Sequence, residues 1–86
     1  MYFVYILESE KDGNLYIGYS EDVTKRLKAH EKGLVTATKF RRPLKLIYYE
    51  AYLNRKDAKG REVFLKSGSG HRFIKKQLLN YFNKIL

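Results

Sequence analysis

Two short apolar segments near the start of the chain organise this sequence: residues 2–7 (Tyr-Phe-Val-Tyr-Ile-Leu) and residues 15–19 (Leu-Tyr-Ile-Gly-Tyr). Both are rich in β-branched and aromatic residues, which favour strands. The charged residues 8–14 separate them and contain Asp12-Gly13, a dipeptide typical of hairpin turns. The sequence therefore predicts an antiparallel β-hairpin.

The hairpin brings two tyrosines to one face of the predicted sheet. Side chains alternate between faces, so a loop with an even number of residues sets Tyr5 and Tyr16 on the same face. A tight Asp12-Gly13 turn would offset the two along the ladder, whereas a looser loop over residues 8–13 would set them directly opposite each other. Cross-strand aromatic pairs also stabilise sheets. The pair is therefore interpreted either as part of the core or as two functional phenols.

Length and composition limit the classes of protein to consider. The 86 residues, 44% of them hydrophobic, predict one globular domain over residues 1–86 with a modest core. Cysteine is absent, which excludes disulfides and thiolate metal sites. No apolar run has the length of a membrane span, and Met1 leads directly into the predicted hairpin. We therefore expect a cytoplasmic protein without a signal peptide or a membrane partner.

The charge is the strongest global indication of a partner. Eighteen Lys and Arg residues stand against nine Asp and Glu residues, which gives a net charge of +9. A positive field of this size attracts phosphate polyanions, because their binding releases condensed counterions. Nucleic acid is the first interpretation, while an anionic membrane surface or simple solubility are the alternatives.

The rest of the chain predicts one more strand and three helices. Each predicted helix follows a residue whose side chain can accept a hydrogen bond from the first turn. The predicted elements are a helix capped by Ser20 that runs to about Lys32 and is closed by Gly33, a strand over residues 44–52, a helix capped by Asn54 that ends near Ser67-Gly68, and a helix capped by Ser69 that runs from Gly70 to about Lys84. The fold class is α/β (α+β): a small three-stranded antiparallel sheet flanked by three helices, in the order β-β-α-β-α-α.

Three helical residues are candidates for chemistry. Arg26 and His30 are one turn apart and share a flank of the first helix. Glu62 lies in the middle of the second helix beside apolar residues, whereas most other acids fall in loops or at helix ends. Glu62 is interpreted either as a ligand or as the partner of Lys59 or Lys66 in an ordinary helical ion pair.

A basic loop precedes the third strand and is closed by Pro43. Its cations are suited to contacts with phosphate, and its aromatic residue offers a face on which a base could stack. The alternative is an exposed loop whose charges only keep the protein soluble. The candidate nucleic-acid contacts are Thr38, Lys39, Phe40, Arg41 and Arg42, with Lys25 on the first helix.

The ordered set Phe3-Val4-Tyr5, Tyr16-Ile17-Gly18, Arg26, His30 and Glu62 resembles the GIY-YIG nuclease superfamily. More narrowly, the chain is similar to small single-domain bacterial GIY-YIG proteins, which are related to the catalytic N-terminal domain of the excision-repair nuclease subunit. The order of the predicted elements is also that of this family, so the resemblance covers nearly the whole chain.

The resemblance implies a metal-dependent endonuclease that hydrolyses phosphodiester bonds. By this similarity, Glu62 holds one divalent metal, Mg²⁺ or Mn²⁺, and Arg26 clamps the scissile phosphate. Tyr16 is implied as the general base or as the residue that orients the attacking water. The resemblance also implies that Tyr5 helps to position the water or the phosphate and that His30 shares in proton transfer. The alternative for His30 is a histidine that only packs along the flank of the helix.

The implied substrate is DNA, with RNA left open, and we expect little sequence specificity because phosphate contacts carry no sequence information. Repair or recombination of DNA is the expected setting. The alternative is a nucleic-acid-binding module that kept the fold and the charge but lost turnover, and a second is an interaction protein. The sequence departs from the family at Phe3, which replaces glycine, and neither Asn80 nor Asn83 is a secure match to the family's late asparagine.

Overall fold

The computed structural model describes residues 1–84. A three-stranded antiparallel sheet has the order β2-β1-β3, so the first strand is central. The strands are β1 (Tyr2–Ser9), β2 (Leu15–Ser20) and β3 (Leu44–Tyr52). The helices are α1 (Val23–Glu31), α2 (Arg55–Lys66), α3 (Gly68–Gln77) and α4 (Leu79–Phe82). The predicted α+β architecture and element order are confirmed, with one additional short helix after α3. Within residues 1–84, no helix is long and apolar enough to cross a membrane.

The register of the hairpin confirms that the two tyrosines share a face. Tyr5 pairs with Gly18 and Leu7 pairs with Tyr16, so the tyrosines are offset by two residues along the ladder. The turn is neither of the two considered from the sequence. The backbone N–H of Ser9 donates to the carbonyl of Asn14 at 2.9 Å, which leaves a four-residue loop over residues 10–13.

The side chain of Ser9 explains this loop length. Its Oγ accepts hydrogen bonds from the backbone N–H groups of Lys11 at 3.1 Å and Asp12 at 3.2 Å. Gly13 then takes a φ of +74°, which only glycine adopts readily. The turn is therefore organised by Ser9, one residue before the four-residue loop, as well as by the Asp-Gly pair.

The two faces of the sheet have different contents. On one face, Val4, Ile6 and Ile17 pack with residues of α2 and α3 to form the hydrophobic core. Tyr5 and Tyr16 belong to the opposite face, because side chains alternate along a strand. That face is covered by α1, whose buried residue is a histidine. The main hydrophobic core thus occupies one side of the sheet, and the buried histidine of α1 lies on the other.

The first helix begins later than the sequence suggests. Asp22, and not Ser20, is its N-cap, with Oδ1 accepting from the backbone N–H of Lys25 at 3.0 Å. The hydroxyl of Ser20 instead bonds the backbone of Asp22. At the other end the prediction is confirmed: Lys32 is the C-cap, and Gly33 follows with a φ of +74°.

The last predicted helix is also corrected. Asn54 caps α2 as predicted, but Ser67 ends α2 and caps α3, with its Oγ accepting from the N–H of Gly70 at 3.1 Å. Ser69 therefore lies inside the helix. The helix stops at Gln77 instead of continuing towards Lys84, because Leu78 leaves the helical conformation.

A polar network that the sequence analysis missed fixes α2 on the sheet. Glu50 of β3 accepts hydrogen bonds from the hydroxyls of Tyr48 and Tyr52, both at 2.6 Å. Arg61 of α2 donates two more, from Nε at 2.8 Å and from Nη2 at 3.0 Å. Burial acts to raise the pKa of Glu50, but these hydrogen bonds outweigh it and lower the pKa. Glu50 is therefore a structural anion that orients α2.

Two glycines give a matched test of how closely α2 and α3 approach. A Cβ at Gly70 would overlap with the carbonyl of Phe64 and the backbone of Leu65, whereas a Cβ at Gly60 would meet nothing within 4 Å. We expect Gly70→Ala to lower the free energy of unfolding by about 1–3 kcal/mol through overpacking. Gly60→Ala should raise it by about 0.5–1 kcal/mol, because alanine loses less backbone entropy in a helix. Urea unfolding measures both, and equal stability of the two variants would contradict the close helix contact.

Candidate active site

Tyr5 lies at the centre of a buried polar cluster. Its side chain is fully buried, and its hydroxyl lies 2.9 Å from Nε2 of His30, which is also fully buried. Arg26, one turn earlier on α1, donates from Nε to the same hydroxyl at 3.4 Å. The helical spacing of Arg26 and His30 therefore aims both side chains at one phenol of the central strand.

Gly18 makes room for this phenol. Tyr5 and Gly18 are directly paired across β1 and β2, and the ring of Tyr5 lies over the glycine. A Cβ at position 18 would overlap with Cζ and the hydroxyl oxygen of Tyr5. The Tyr-Ile-Gly triplet thus requires glycine for a steric reason: any side chain there would displace the phenol from His30 and Arg26.

Tyr16 is the second phenol of the cluster and is only partly buried. Its ring centroid lies 5.1 Å from that of His30 and 6.3 Å from that of Tyr5, with edge-on and tilted orientations. The hydrogen bond to Tyr5 raises the pKa of Arg26, burial opposes this rise, and the phenol of Tyr16 adds to it. Tyr5, Tyr16, Arg26 and His30, which the sequence proposed as a group, are therefore brought together.

His30 is a neutral imidazole at physiological pH. Burial, together with the positive charge of Arg26, lowers its pKa from 6.5 to about 4. Nδ1 lies 2.7 Å from Oγ1 of Thr38, and Nε2 lies 2.9 Å from the hydroxyl of Tyr5. Both ring nitrogens are thus hydrogen-bonded. The partner at one nitrogen therefore influences which of the two nitrogens carries the proton.

Thr38 has a role that differs from the one the sequence suggested. The sequence predicts a contact with phosphate. In the structure the side chain of Thr38 is fully buried, and its hydroxyl faces His30. It is therefore a positioning residue for the imidazole. The spacing could not reveal this contact, because Thr38 reaches His30 only through the turn over residues 35–39, in which the N–H groups of Thr38 and Lys39 both donate to Val35.

The two phenols differ in their surroundings. Burial raises the pKa of Tyr5 above its usual value of 10.0, although the hydrogen bond from Arg26 opposes this shift. Tyr5 therefore remains a neutral phenol that can donate one proton and accept from Arg26. Tyr16 is the phenol that faces outwards, which makes it the more accessible of the two to a water molecule or a substrate.

Glu62 stands apart from this cluster. It belongs to α2, on the core side of the sheet, and its 14% exposed side chain is held by Lys66 at 3.1 Å and Lys59 at 3.6 Å. Within residues 1–84, no hydrogen bond or ion pair joins it to the four residues around Tyr5. Its negative charge nevertheless contributes to the raised pKa of Tyr5, so the carboxylate lies within electrostatic reach of the phenol.

The carboxylate of Glu62 fits a magnesium-type site only as a single protein ligand. No group of three or more His, Cys, Asp or Glu side chains is placed to hold a metal ion among the described residues. Mg²⁺ commonly keeps several waters and binds through one or two carboxylates with substrate phosphate. A lone hard oxygen ligand meets that requirement, provided that Lys59 and Lys66 release it.

The two arginines of the basic loop are engaged in structural contacts. Arg42 donates from Nε to the carbonyl of Lys39 at 3.0 Å and from Nη1 to that of Glu31 at 3.1 Å, so it fastens the loop to the end of α1. Arg41 pairs with Asp12 at 3.5 Å. The other predicted contacts are the partly buried Lys39 and the exposed Phe40 and Lys25.

The low pKa of His30 predicts a pH-dependent stability. Between pH 6.5 and about 4 the unfolded chain binds a proton that the folded chain does not, so the free energy of unfolding should fall as the pH is lowered through this window. The size of the shift corresponds to about 3 kcal/mol. We expect His30→Gln to lose this component, whereas His71→Gln, a change at an exposed histidine, should keep it. Urea unfolding at a series of pH values measures the difference, and identical slopes in both variants would contradict a buried neutral imidazole.

The contact of Thr38 with His30 predicts a second outcome. Thr38→Val preserves volume but removes the hydroxyl, so the tautomer of His30 should change, whereas Thr38→Ser should retain it. The ¹⁵N chemical shifts of the imidazole report the tautomer directly. Unchanged shifts in Thr38→Val would show that the hydroxyl does not set the proton position.

Comparison with known proteins shows the family of the chain. The profile of the GIY-YIG catalytic domain matches residues 1–77. A UPF0213 protein of Clostridium perfringens is 42% identical over 67 residues, which cover 77% of this chain and 71% of the relative. UPF0213 proteins of Staphylococcus saprophyticus and Staphylococcus epidermidis are 37% and 39% identical over 75 residues, which cover 86% of this chain and 90% of each relative. No solved structure matches. The chain belongs to the GIY-YIG nuclease family and is similar to its small bacterial UPF0213 members.

Proposed function

We propose that this chain is a metal-dependent endonuclease that hydrolyses phosphodiester bonds in DNA with little sequence specificity. The observation that carries the proposal is the convergence of Arg26, His30 and two phenols on one side of the sheet, away from the hydrophobic core. A guanidinium beside a neutral imidazole and an accessible phenol supplies a phosphate clamp and groups that can exchange a proton. These are the requirements of phosphodiester hydrolysis.

Arg26 is the proposed phosphate clamp. Its Nε is engaged by Tyr5, which orients the planar guanidinium, and the two terminal nitrogens remain for two phosphate oxygens. Because the side chain is held before substrate arrives, less conformational entropy is lost on binding. Tyr5 thus acts through Arg26 and His30 and helps to position the phosphate.

Tyr16 and His30 are the proposed groups for water activation. The hydroxyl of Tyr16 orients the attacking water, and its ring packs edge-on against the imidazole of His30. His30 is neutral at physiological pH, and its two ring nitrogens are hydrogen-bonded to Tyr5 and Thr38, so its proposed share in proton transfer runs through these two hydroxyls.

Glu62 is the proposed ligand for Mg²⁺ or Mn²⁺. When bound, such an ion supplies Lewis-acid stabilisation of the phosphate and of the leaving oxygen. The network of Glu50 and Arg61 supports this role, because it fixes the orientation of α2 at the residue next to Glu62.

The proposed DNA-binding surface is the basic loop together with Lys25. Lys25 and Arg26 border the same shallow pocket at the start of α1, and Lys39, Arg41 and Arg42 extend the positive charge from the other end of that helix. Contacts of this kind neutralise phosphates and carry no sequence information. RNA offers the same phosphates, so DNA is the proposed and not the exclusive substrate. Repair or recombination is the proposed setting.

A binding module without turnover is the second candidate. The observation that favours it is the engagement of Glu62 by Lys59 and Lys66, which competes with metal binding. In such a protein the cluster around Arg26 would bind phosphate without cleaving it.

The decisive measurement is nicking of supercoiled and branched DNA with Mg²⁺ or Mn²⁺. We expect Glu62→Ala and Tyr16→Phe each to lower the cleavage rate by about 100-fold or more, because a metal ligand or an acid–base group is lost. Binding of DNA should be retained in both. The matched controls are Asp57→Ala, an exposed acid on α2, and Tyr49→Phe, an exposed tyrosine on β3, and both should cleave normally.

The binding module predicts a different result. Binding that weakens steeply with salt, without cleavage by the wild type or any variant, would replace the endonuclease with the binder. Cleavage that survives both Glu62→Ala and Tyr16→Phe would contradict the proposed site itself. Weak binding with little salt dependence would favour an interaction protein.

A further inference from the structure

The loop between α1 and β3 presents an aromatic ring to solvent. Phe40 is 76% exposed, although burial of a phenylalanine side chain is favourable. Nζ of Lys39 lies 4.9 Å from the centre of the ring, so a cation and an aromatic face are presented together. Exposure alone is common among single apolar residues of this chain, so the pairing of the ring with a cation is the feature that distinguishes Phe40.

The ring borders an open cleft of about 650 Å³. Three cations and one carboxylate line the cleft: Lys11, Lys39, Arg42 and Glu31. The lining is therefore positive overall and contains an aromatic wall, which matches the combination of anionic phosphate and flat base in a nucleotide.

The backbone that carries Phe40 is held on two sides. Nζ of Lys11, from the hairpin loop, donates to the carbonyl of Phe40 at 3.2 Å. Arg42 donates to the carbonyls of Lys39 and Glu31 on the other side. The backbone at Phe40 is thus fixed by hydrogen bonds, which lowers the entropy cost of binding a ligand against the ring.

Phe40 is close in the chain to a residue of the proposed active site. Thr38 precedes Phe40 by two residues and contacts His30. Two residues span at most about 7 Å between Cα atoms. The backbone of Phe40 therefore lies within about 7 Å of a residue that contacts the cluster of Tyr5, Arg26 and His30.

We propose that Phe40 is a stacking platform for an unpaired nucleobase, so that the substrate class is DNA with an unpaired nucleotide next to the scissile phosphate. In a continuous duplex both faces of each base are covered by its neighbours, and an external ring has no face to stack on. A base in a single strand, a flap or a branch exposes its face to the ring. This inference rests on the proposed nuclease function, and it adds the structural state of the DNA.

A tryptophan placed in the platform detects stacking directly. The chain has no tryptophan, so Phe40→Trp introduces a single reporter, and Leu34→Trp places one at a 73% exposed position before the same turn as a control. With EDTA present to prevent cleavage, oligothymidine should quench the fluorescence of Phe40→Trp only. A relaxed, covalently closed circular duplex should leave it unquenched. Equal quenching of both variants, or equal quenching by both DNAs, would overturn the platform.

Affinity gives a second readout that does not depend on the reporter. Phe40→Ala should weaken binding of fluorescent oligothymidine by about 5-fold to 150-fold, which is the range for loss of one base–aromatic stack. The slope of log affinity against log salt should stay the same, because no charge is removed. Binding of the closed circular duplex, and all binding by Leu34→Ala, should be unchanged. A uniform loss on both DNAs would overturn the inference.

The two proposals can fail separately. If the wild type cleaves DNA but Phe40→Ala binds oligothymidine normally, the platform is wrong and the nuclease stands. If no DNA is cleaved but the dependence on Phe40 holds, the platform stands on a binding module.

Discussion

The hydrogen bond between Tyr5 and His30 joins the central strand to the first helix, and the functional side of the molecule depends on it. Both side chains are fully buried, so neither polar group can turn to water. An unsatisfied buried group would cost about 1–3 kcal/mol. The hydrogen bond therefore fixes both side chains, and it also fixes the direction of α1 across the sheet. Gly18 is part of the same constraint, because the phenol can reach the helix only across a residue without a side chain.

This constraint divides a small protein into two halves. Val4, Ile6 and Ile17 face α2 and α3, while Tyr5 and Tyr16 lie on the face covered by α1. An 86-residue chain can bury only a modest core, so one sheet face supplies most of its hydrophobic burial and the other holds the polar cluster. On the core side, the Glu50–Arg61 pair fastens α2 to the third strand and thereby sets where Glu62 lies.

The loop after α1 adds a third level of organisation. Its turn presents Thr38 inwards to His30 and Phe40 outwards to solvent, two residues apart. One segment thus both holds the imidazole and forms the rim of the basic cleft. A substrate that contacts Phe40 therefore contacts the same turn whose Thr38 hydroxyl is hydrogen-bonded to His30.

The sequence by itself determined the strands, the element order and the shared face of Tyr5 and Tyr16, because periodicity, turn residues and capping residues act locally. It also placed Arg26 beside His30, since residues one helical turn apart are neighbours. Only the tertiary structure decided what depends on contacts between distant segments: the fit of Tyr5 over Gly18, the inward side chain of Thr38, and the pairing of Glu50 with Arg61. The offset of the hairpin also required the structure, because Ser9, which holds the loop, lies outside the Asp-Gly signal. Local rules fix the identity of elements, whereas burial and hydrogen bonding between them fix the role of each side chain.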